Sequence, residues 1–350
     1  MVRWGVLQRN FWLKYGLDRL AVSPLINANP IYNYFHRRRA MARTMEYRGR
    51  APEFLFIETH NYCNARCIMC SYANMRRPKG YMDSSLFELI VDEASALGVG
   101  TILLHGTSEP LLDPNVLEKI RKVKRSGRRL HVITNGSLLS AEIAEHIVGE
   151  GVDEVTVSLD GHTKESYERV RVGLRWEDVV GGIENVIAQK QRHHRSTPFL
   201  RLQYVDAAND RRDAYLFWNY WRSRVDEVIY MRANNWAGQV QLDKLTPACP
   251  SASPCRFLWT SMVVLWDGTV PLCCLDSSAS HVLGRVGDAS IGQVWTGTAL
   301  SQIRDKHLQG ERGEVPLCRA CAIPSVWWRP VAGKAAKRGI ACDAEDASQF

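Results

Sequence analysis

From Glu53 onward, short apolar runs alternate with amphipathic stretches of helical length. Phe54-Leu-Phe-Ile57 reads as a short buried strand. Asp83-Ser84-Ser85 supplies a cap for a helix from Leu86 to about Leu97, with a stop at Gly98. Thr101-Ile-Leu-Leu104 is the next strand, and Asp113-Pro114 opens a helix from Asn115 to about Arg125. Leu130-His-Val-Ile133 follows, then Asn135-Gly136 and a helix over Ala141–Gly149. Glu154-Val-Thr-Val-Ser158 is the fourth strand, with helical patterns continuing to about Gln191. Leu200–Gln203 and Val228–Met231 are the fifth and sixth, separated by a helix over Asp213–Arg224.

Strands alternating with helices are the βαβ signature of a parallel sheet or barrel. Six units fall short of the eight of a full barrel. The predicted fold is therefore α/β, a partial (β/α)6 barrel. Ligands of parallel α/β folds sit at the carboxyl ends of the strands. That places Glu58, Glu109, Asn135, Asp160, Gln203 and Asn234 as site candidates.

Both flanks differ from this pattern. Residues 1–50 form a basic, aromatic N-terminal extension with helical spacing from Asn33 to Met45. It reads as a helix packed across the barrel bottom, with an interfacial amphipathic helix as the other reading. After Pro247, Gly, Pro and Trp accumulate, and seven of the ten cysteines lie in the last 102 residues. A thin, loop-rich segment of that kind suits a metal-stapled domain. The expected domains are residues 1–50, the core at 51–240 and the small domain at 247–345.

Composition narrows the class. The 350 residues are 45% hydrophobic and 23% charged, a globular mix that excludes disorder as the main state. No apolar run reaches the ~18 residues of a membrane-spanning helix. Arg3, Arg9 and Lys14 interrupt any signal-peptide core, so a cytoplasmic location is expected. Ten cysteines in a reducing compartment point to metal or redox chemistry rather than disulfides. Lys and Arg number 45 against 37 Asp and Glu, a net +8 concentrated partly at Arg37–Arg39, Arg43, Arg48 and Arg50. That balance suits a nucleic acid, a membrane surface or an anionic substrate and chooses none.

The cysteines form two constellations. The first, Cys63-x3-Cys67-x2-Cys70, lies just past the first strand. Three thiolates serve poorly as a closed zinc site, which wants four ligands, although His60 is a nearby candidate for the fourth. They do suit a cubane [4Fe–4S] cluster with one iron left open. The second is Cys255-x17-Cys273-x44-Cys318-x2-Cys321, within which Gly268 lies five residues before Cys273. A structural Zn(Cys)4 site and an iron–sulfur cluster both suit it.

The first triplet resembles the hallmark of the radical S-adenosylmethionine (SAM) superfamily, and the likeness spans roughly residues 53–235. Gly106-Thr-Ser-Glu109-Pro110 is similar to the family's Gly-Gly-Glu-Pro motif, without its second Gly. Thr134-Asn135-Gly136 and Ser158-Leu-Asp160-Gly161 match further family positions, and Met69 replaces the aromatic residue that often precedes the last cluster cysteine. The resemblance implies that Cys63, Cys67 and Cys70 hold a SAM-binding [4Fe–4S] cluster. It implies that Met69, Gly106, Glu109, Asn135, Ser158 and Asp160 bind SAM. A reduced cluster would then cleave SAM to methionine and a 5′-deoxyadenosyl radical, which takes a hydrogen atom from substrate. The cofactor carries the hard step and the protein positions it.

The second constellation resembles the SPASM and twitch auxiliary-cluster domains of that superfamily, most like the truncated twitch form of aminocyclitol-dehydrogenase-like members. This implies an auxiliary [4Fe–4S] cluster on Cys255, Cys273, Cys318 and Cys321. The expected function is a radical SAM oxidoreductase acting on a sugar or aminocyclitol-like small molecule, by dehydrogenation or epimerisation. In an epimerisation Cys249 is the candidate hydrogen donor. The expected partners are a carbohydrate-like substrate and an electron donor such as flavodoxin or ferredoxin. No nucleic acid is expected, and the leader is a candidate for weak membrane-surface contact. The other readings are a peptide or protein maturase of the same family and a zinc-stabilised nucleic-acid-binding protein.

Overall fold

The computed structural model describes residues 49–208, 210–241 and 254–321, together with Arg38, Met41, Ala42, Thr44, Glu46 and Tyr47. The helix expected from Asn33 to Met45, and with it the membrane-contact reading, falls largely outside the described residues, as do Cys249 and Cys342. No helix among the described residues is long and apolar enough to cross a membrane.

The predicted alternation is present. It runs β1 (Phe54–Ile57), α1 (Ser84–Leu97), β2 (Thr101–Leu104), α2 (Val116–Arg125), β3 (Arg129–Thr134), α3 (Ala141–Gly149) and β4 (Glu154–Ser158). Then come α4 (Lys164–Val170), α5 (Trp176–Arg192), β5 (Phe199–Asp206), α6 (Arg211–Trp221) and β6 (Glu227–Arg232). Local chemistry sets the ends. The Asp83 side chain accepts from Ser85 N and caps α1, and Gly98 closes that helix. The helical stretch that the pattern runs to Gln191 is two helices, parted where the chain turns back on the cysteine loop. There Arg66 N donates to Val172 O and Ile68 N to Val170 O.

A seventh strand, β7 (Ser261–Val264), corrects the count of six. It pairs parallel with β1, Phe54 opposite Ser261 and Ile57 opposite Val264. The sheet order is β6-β5-β4-β3-β2-β1-β7, so β6 and β7 are its edges and the barrel is partial. Strand β7 lies between Cys255 and Cys273, where cysteine spacing hides a run of only four residues. The small domain therefore lends a strand to the core sheet. The rest of it adds the antiparallel pair β8 (Thr269–Pro271) and β9 (Val282–Arg285), then α7 (Ile291–Thr296) and α8 (Thr298–Gln309). Gly268 holds the turn from β7 to β8 at φ 87°, with a Cβ at this position only 2.6 Å from Val286 O, which explains its place in the cysteine spacing.

Strand alternation then sorts the side chains. Leu55 and Ile57 of β1, Leu130 and Val132 of β3, Val155 and Val157 of β4, and Leu200 and Leu202 of β5 pack into the core under the helices. Their neighbours point the other way. Phe54, Phe56, Leu103, Val263 and Leu265 form a second apolar cluster on the inner face. Further round, the inner face turns polar.

Candidate functional site

The inner face and the loop after β1 enclose a cavity of about 230 Å³. Its floor and wall come from alternate residues: His131 and Ile133 of β3, Thr156 and Ser158 of β4, Arg201, Gln203 and Val205 of β5. Its mouth carries Cys63, Cys67 and Cys70. Two of the three thiols are held by the loop's own backbone: Ala65 N donates to Cys63 Sγ at 3.5 Å and Tyr72 N to Cys70 Sγ at 3.4 Å. Burial pushes the Cys63 thiol up to about 12, and burial also raises Cys70. Thiols in this state become thiolates when a cation binds them. Three such donors around one open cavity fit a cubane cluster with a free iron. No group of three or more His, Cys, Asp or Glu side chains among the described residues is placed to hold a single metal ion. His60 does not join the thiols. It lies fully buried against the Tyr62 and Tyr81 rings, and its Nδ1 accepts from Tyr62 N.

Glu109 joins the ends of β2 and β3. Its carboxylate accepts from Leu111 N, from Thr134 Oγ1 at 2.6 Å and from Asn135 N at 2.6 Å. Burial raises its affinity for a proton, and these bonds oppose that rise. Asn135 Nδ2 donates to Asn64 Oδ1 in the cysteine loop. Glu109, Asn135, Gly106, Ser158 and Met69 all line the cavity beside the thiols. The Met69 carbonyl accepts from Trp236 Nε1 at 2.8 Å, so an indole braces the position where the family often has an aromatic residue.

Gly106 has a steric reason to be glycine. A Cβ there would stand 2.6 Å from Glu58 Cγ and 2.9 Å from Glu58 Oε2. Glu58 cannot yield freely, because Arg77 binds it in a fork at 2.8 and 2.9 Å and Thr107 N donates to it at 3.1 Å. Glu58 itself is outside the cavity lining, so this strand-end candidate supports the loop after β2 instead. Gly106→Ala is expected to lower stability by about 1–3 kcal/mol through overpacking. An unchanged urea midpoint would show that the Glu58–Arg77 fork gives way.

Asp160 is the one SAM-binding candidate that does not reach the cavity lining. It accepts from Val205 N at 2.7 Å and binds Arg171 Nε. Burial raises the Asp160 carboxyl, and the Arg171 charge opposes the rise. Arg171 does line the cavity, with Nη1 3.6 Å from Cys67 Sγ. Asp160 thus aims a cation at the cysteine loop. Sequence reasoning missed Arg171, because no motif marks an arginine in a helix-to-helix turn. Inward His131, Thr156 and Arg201 were legible only from period-two alternation within β3, β4 and β5.

The second cysteine set also converges. Burial raises Cys255 to about 11 and Cys318 to about 12, with other thiols of the set adding to the rise. Cys273 is raised well above its ordinary value by burial, then by Cys274, Cys318 and Cys321. Cys255 N donates to Nδ1 of the buried His307, fixing the first ligand position to α8. Cys274 is the fifth thiol of the neighbourhood and also lines the cavity that holds Cys63, Cys67 and Cys70.

These two sites coincide with two family models. The radical SAM superfamily model matches residues 57–200, and the SPASM iron–sulfur cluster-binding domain model matches residues 255–322. The tungsten-containing aldehyde ferredoxin oxidoreductase cofactor-modifying protein of Pyrococcus furiosus is 35% identical over 109 residues, 31% of this chain and 31% of that protein. The S-adenosyl-L-methionine-dependent 2-deoxy-scyllo-inosamine dehydrogenase of Niallia circulans is 23% identical over 274 residues, 77% of this chain and 92% of that protein. Among solved structures, BtrN in complex with AdoMet and 2-DOIA superposes with a TM-score of 0.56 at 21% identity, covering 78% of this chain and 93% of that one. Streptococcus suis SuiB bound to the precursor peptide SuiA gives 0.60 at 14% identity, covering 76% and 70%. Both structural likenesses show the fold. The chain spans 31%, 39% and 52% of the length of three curated relatives it matches at 32–35% identity. Domains of these two kinds take [4Fe–4S] clusters and SAM as cofactors. On these matches and this geometry, the chain carries a radical SAM superfamily domain over residues 57–200 and a SPASM iron–sulfur cluster-binding domain over residues 255–322.

Proposed function

We propose that the chain is a radical SAM oxidoreductase that removes a hydrogen atom from a small, hydroxyl-rich substrate of the sugar or aminocyclitol class. One observation carries this reading: the three thiols share a single, largely apolar cavity with a few inward polar side chains of β3, β4 and β5. When bound, a reduced [4Fe–4S] cluster and SAM supply the hydrogen-abstracting chemistry. The chain's residues do the rest. Cys63, Cys67 and Cys70 hold the first cluster, and Cys255, Cys273, Cys318 and Cys321 the auxiliary one. Glu109 presents a carboxylate oxygen for the SAM amine, Asn135 lines the same wall with its Oδ1 held by Ser137 N and Oγ, and Arg171 presents a cation for the SAM carboxylate. Gly106 lets the backbone come close, and Ser158 adds a hydroxyl. Met69, backed by Trp236, gives an apolar wall that keeps water from the reacting centre. Deeper in, Thr156, Gln203 and Asn234 offer both donors and acceptors to hydroxyl groups.

The substrate class is supported by the near end-to-end match to the aminocyclitol dehydrogenase, which spans 92% of it. The fold does not choose, because the peptide-bound SuiB shares it. The test is anaerobic turnover with SAM, reductant and carbon-deuterated sugars or aminocyclitols. Deuterium is expected in 5′-deoxyadenosine. Transfer from a deuterated peptide and from no small molecule would make the protein a maturase instead.

Dehydrogenation is the preferred outcome: Cys255, Cys273, Cys318 and Cys321 would hold an auxiliary cluster that could supply an acceptor for the electron left on the substrate, and solvent would take the hydroxyl proton. The Cys249→Ala variant in D2O separates this from epimerisation. Both proteins are expected to give the same two-electron-oxidised product. A stereo-inverted, deuterated product that disappears in the variant would make Cys249 the hydrogen donor.

A further inference from the structure

Exposure alternates along the cysteine loop. Arg66 and Ile68 are exposed, whereas Cys67 and Met69 are buried. Cys70 N donates to Cys67 O, so Ile68 and Met69 are the central residues of a tight turn that turns one side chain out and the other in. The loop is thus one residue thick, with a cluster thiol inside and Arg66 and Ile68 outside. Hydrogen bonds to Val170 and Val172 carbonyls join it to the turn after α4. Val172 is 43% exposed and Ile68 44%, two of the few large apolar side chains so placed. Arg66, Arg169 and Arg175 are exposed on the same two segments. Arg66 and Arg169 pair with no carboxylate among the described residues. Of the nearby acids, Glu168 is already engaged by Trp176 N and Lys164.

We infer that this patch, with Ile68 and Val172 at its centre and Arg66, Arg169 and Arg175 at its rim, is the docking surface for the one-electron donor, an acidic flavin or iron–sulfur carrier protein. The inference rests on the assignment of the first cluster to Cys63, Cys67 and Cys70. Electron tunnelling weakens steeply with distance, so a useful face is one separated from a cluster ligand by a single layer of side chains; Cys67 itself is buried, and its chain neighbours Arg66 and Ile68 are exposed. Arg66 and Ile68 flank Cys67 in the chain, and Val172 follows Arg171, whose guanidinium touches Cys67 Sγ. Two aliphatic side chains inside a basic rim suit the small, transient interface of an electron-transfer encounter. The unpaired arginines complement an acidic partner and speed its approach. In the encounter the donor loses one electron, the cluster gains it, and no atom moves.

The test uses the reconstituted holoprotein and flavodoxin hydroquinone as the probe, mixed anaerobically in a stopped-flow instrument. The Arg66→Glu/Arg169→Glu variant is expected to slow cluster reduction by about ten-fold or more at low salt, a gap that added salt narrows. Ile68→Ser should slow it at all salt concentrations. Reduction by dithionite, and the spectrum of the reduced cluster, should be the same in parent and variants. Equal flavodoxin rates in parent and charge-reversal variant, with that spectrum intact, would overturn the docking surface. Binding of the parent but not the variant to anionic vesicles, with equal flavodoxin rates, would make the patch a lipid contact and overturn it too. A parent with no dithionite-reducible signal would instead overturn the cluster assignment beneath it.

Discussion

Replacing Cys63, Cys67 and Cys70 together by alanine is expected to abolish SAM cleavage and to halve the iron, from about eight to about four per chain for two cubane clusters. The reason is geometric. The three thiols are the cysteines at the mouth of the cavity that also presents Glu109 and Asn135, while the second set lies in the SPASM segment. Without them the cavity has no cluster, and the SAM sulfonium has no electron source. The complementary Cys318→Ala/Cys321→Ala variant should also lose about half the iron but keep some uncoupled SAM cleavage, because it leaves the first site whole. It should also loosen the C-terminal end, where Cys318 lies in the short helix Pro316–Arg319 and Cys321 just beyond it, because a cluster on this pair would tie that end to Cys255 and Cys273. Iron and sulfide analysis, with chromatography of 5′-deoxyadenosine, reads both variants. Cleavage retained by the triple variant would remove the basis of the proposed function, and full iron in the double variant would displace the auxiliary ligands.

Most of the element order was legible because it rests on local signals. The Asp83 cap, the Gly98 stop and the apolar runs Phe54–Ile57 and Ile102–Leu104 of β1 and β2 each identify themselves within a few residues. The cluster cysteines were legible for the same reason, since their spacing is local. What stayed hidden depends on partners far apart in the chain. Strand β7 is recognisable only beside β1, more than 200 residues earlier. The need for glycine at 106 comes from Glu58, and Glu58 is fixed by Arg77. Asp160 carries a family motif, yet its carboxylate is spent on Arg171 and Val205 N, so its influence on the cavity passes through a residue that no motif marks.

Arg201→Met is expected to lower stability by about 3–5 kcal/mol, the range for removing one partner of a buried ion pair. Arg201 stands on β5 with a side chain only 3% exposed, bound to Glu154 of β4 and Glu227 of β6. It therefore clamps three adjacent strands beneath the cavity. Methionine keeps much of the volume but leaves Glu154, itself 3% exposed, without its cation. The loss should depend on pH. Burial pushes the Glu154 carboxyl from 4.5 up to about 7, with Arg201 opposing that rise. A carboxyl raised in the native state binds more protons there than in the unfolded chain, so its contribution to stability falls as pH rises from about 4.5 to about 7. Without Arg201 the native value moves higher still, and the decline continues past the point where the parent levels off. The parent–variant gap in urea unfolding should thus be smallest near pH 5 and widen toward pH 8. His131 adds no compensating charge, because burial, and then the Arg201 charge, lower its proton affinity well below the usual histidine range. An equal gap at both pH values would show that Arg201 stabilises by packing alone, and that Glu154 is already neutral in the folded parent.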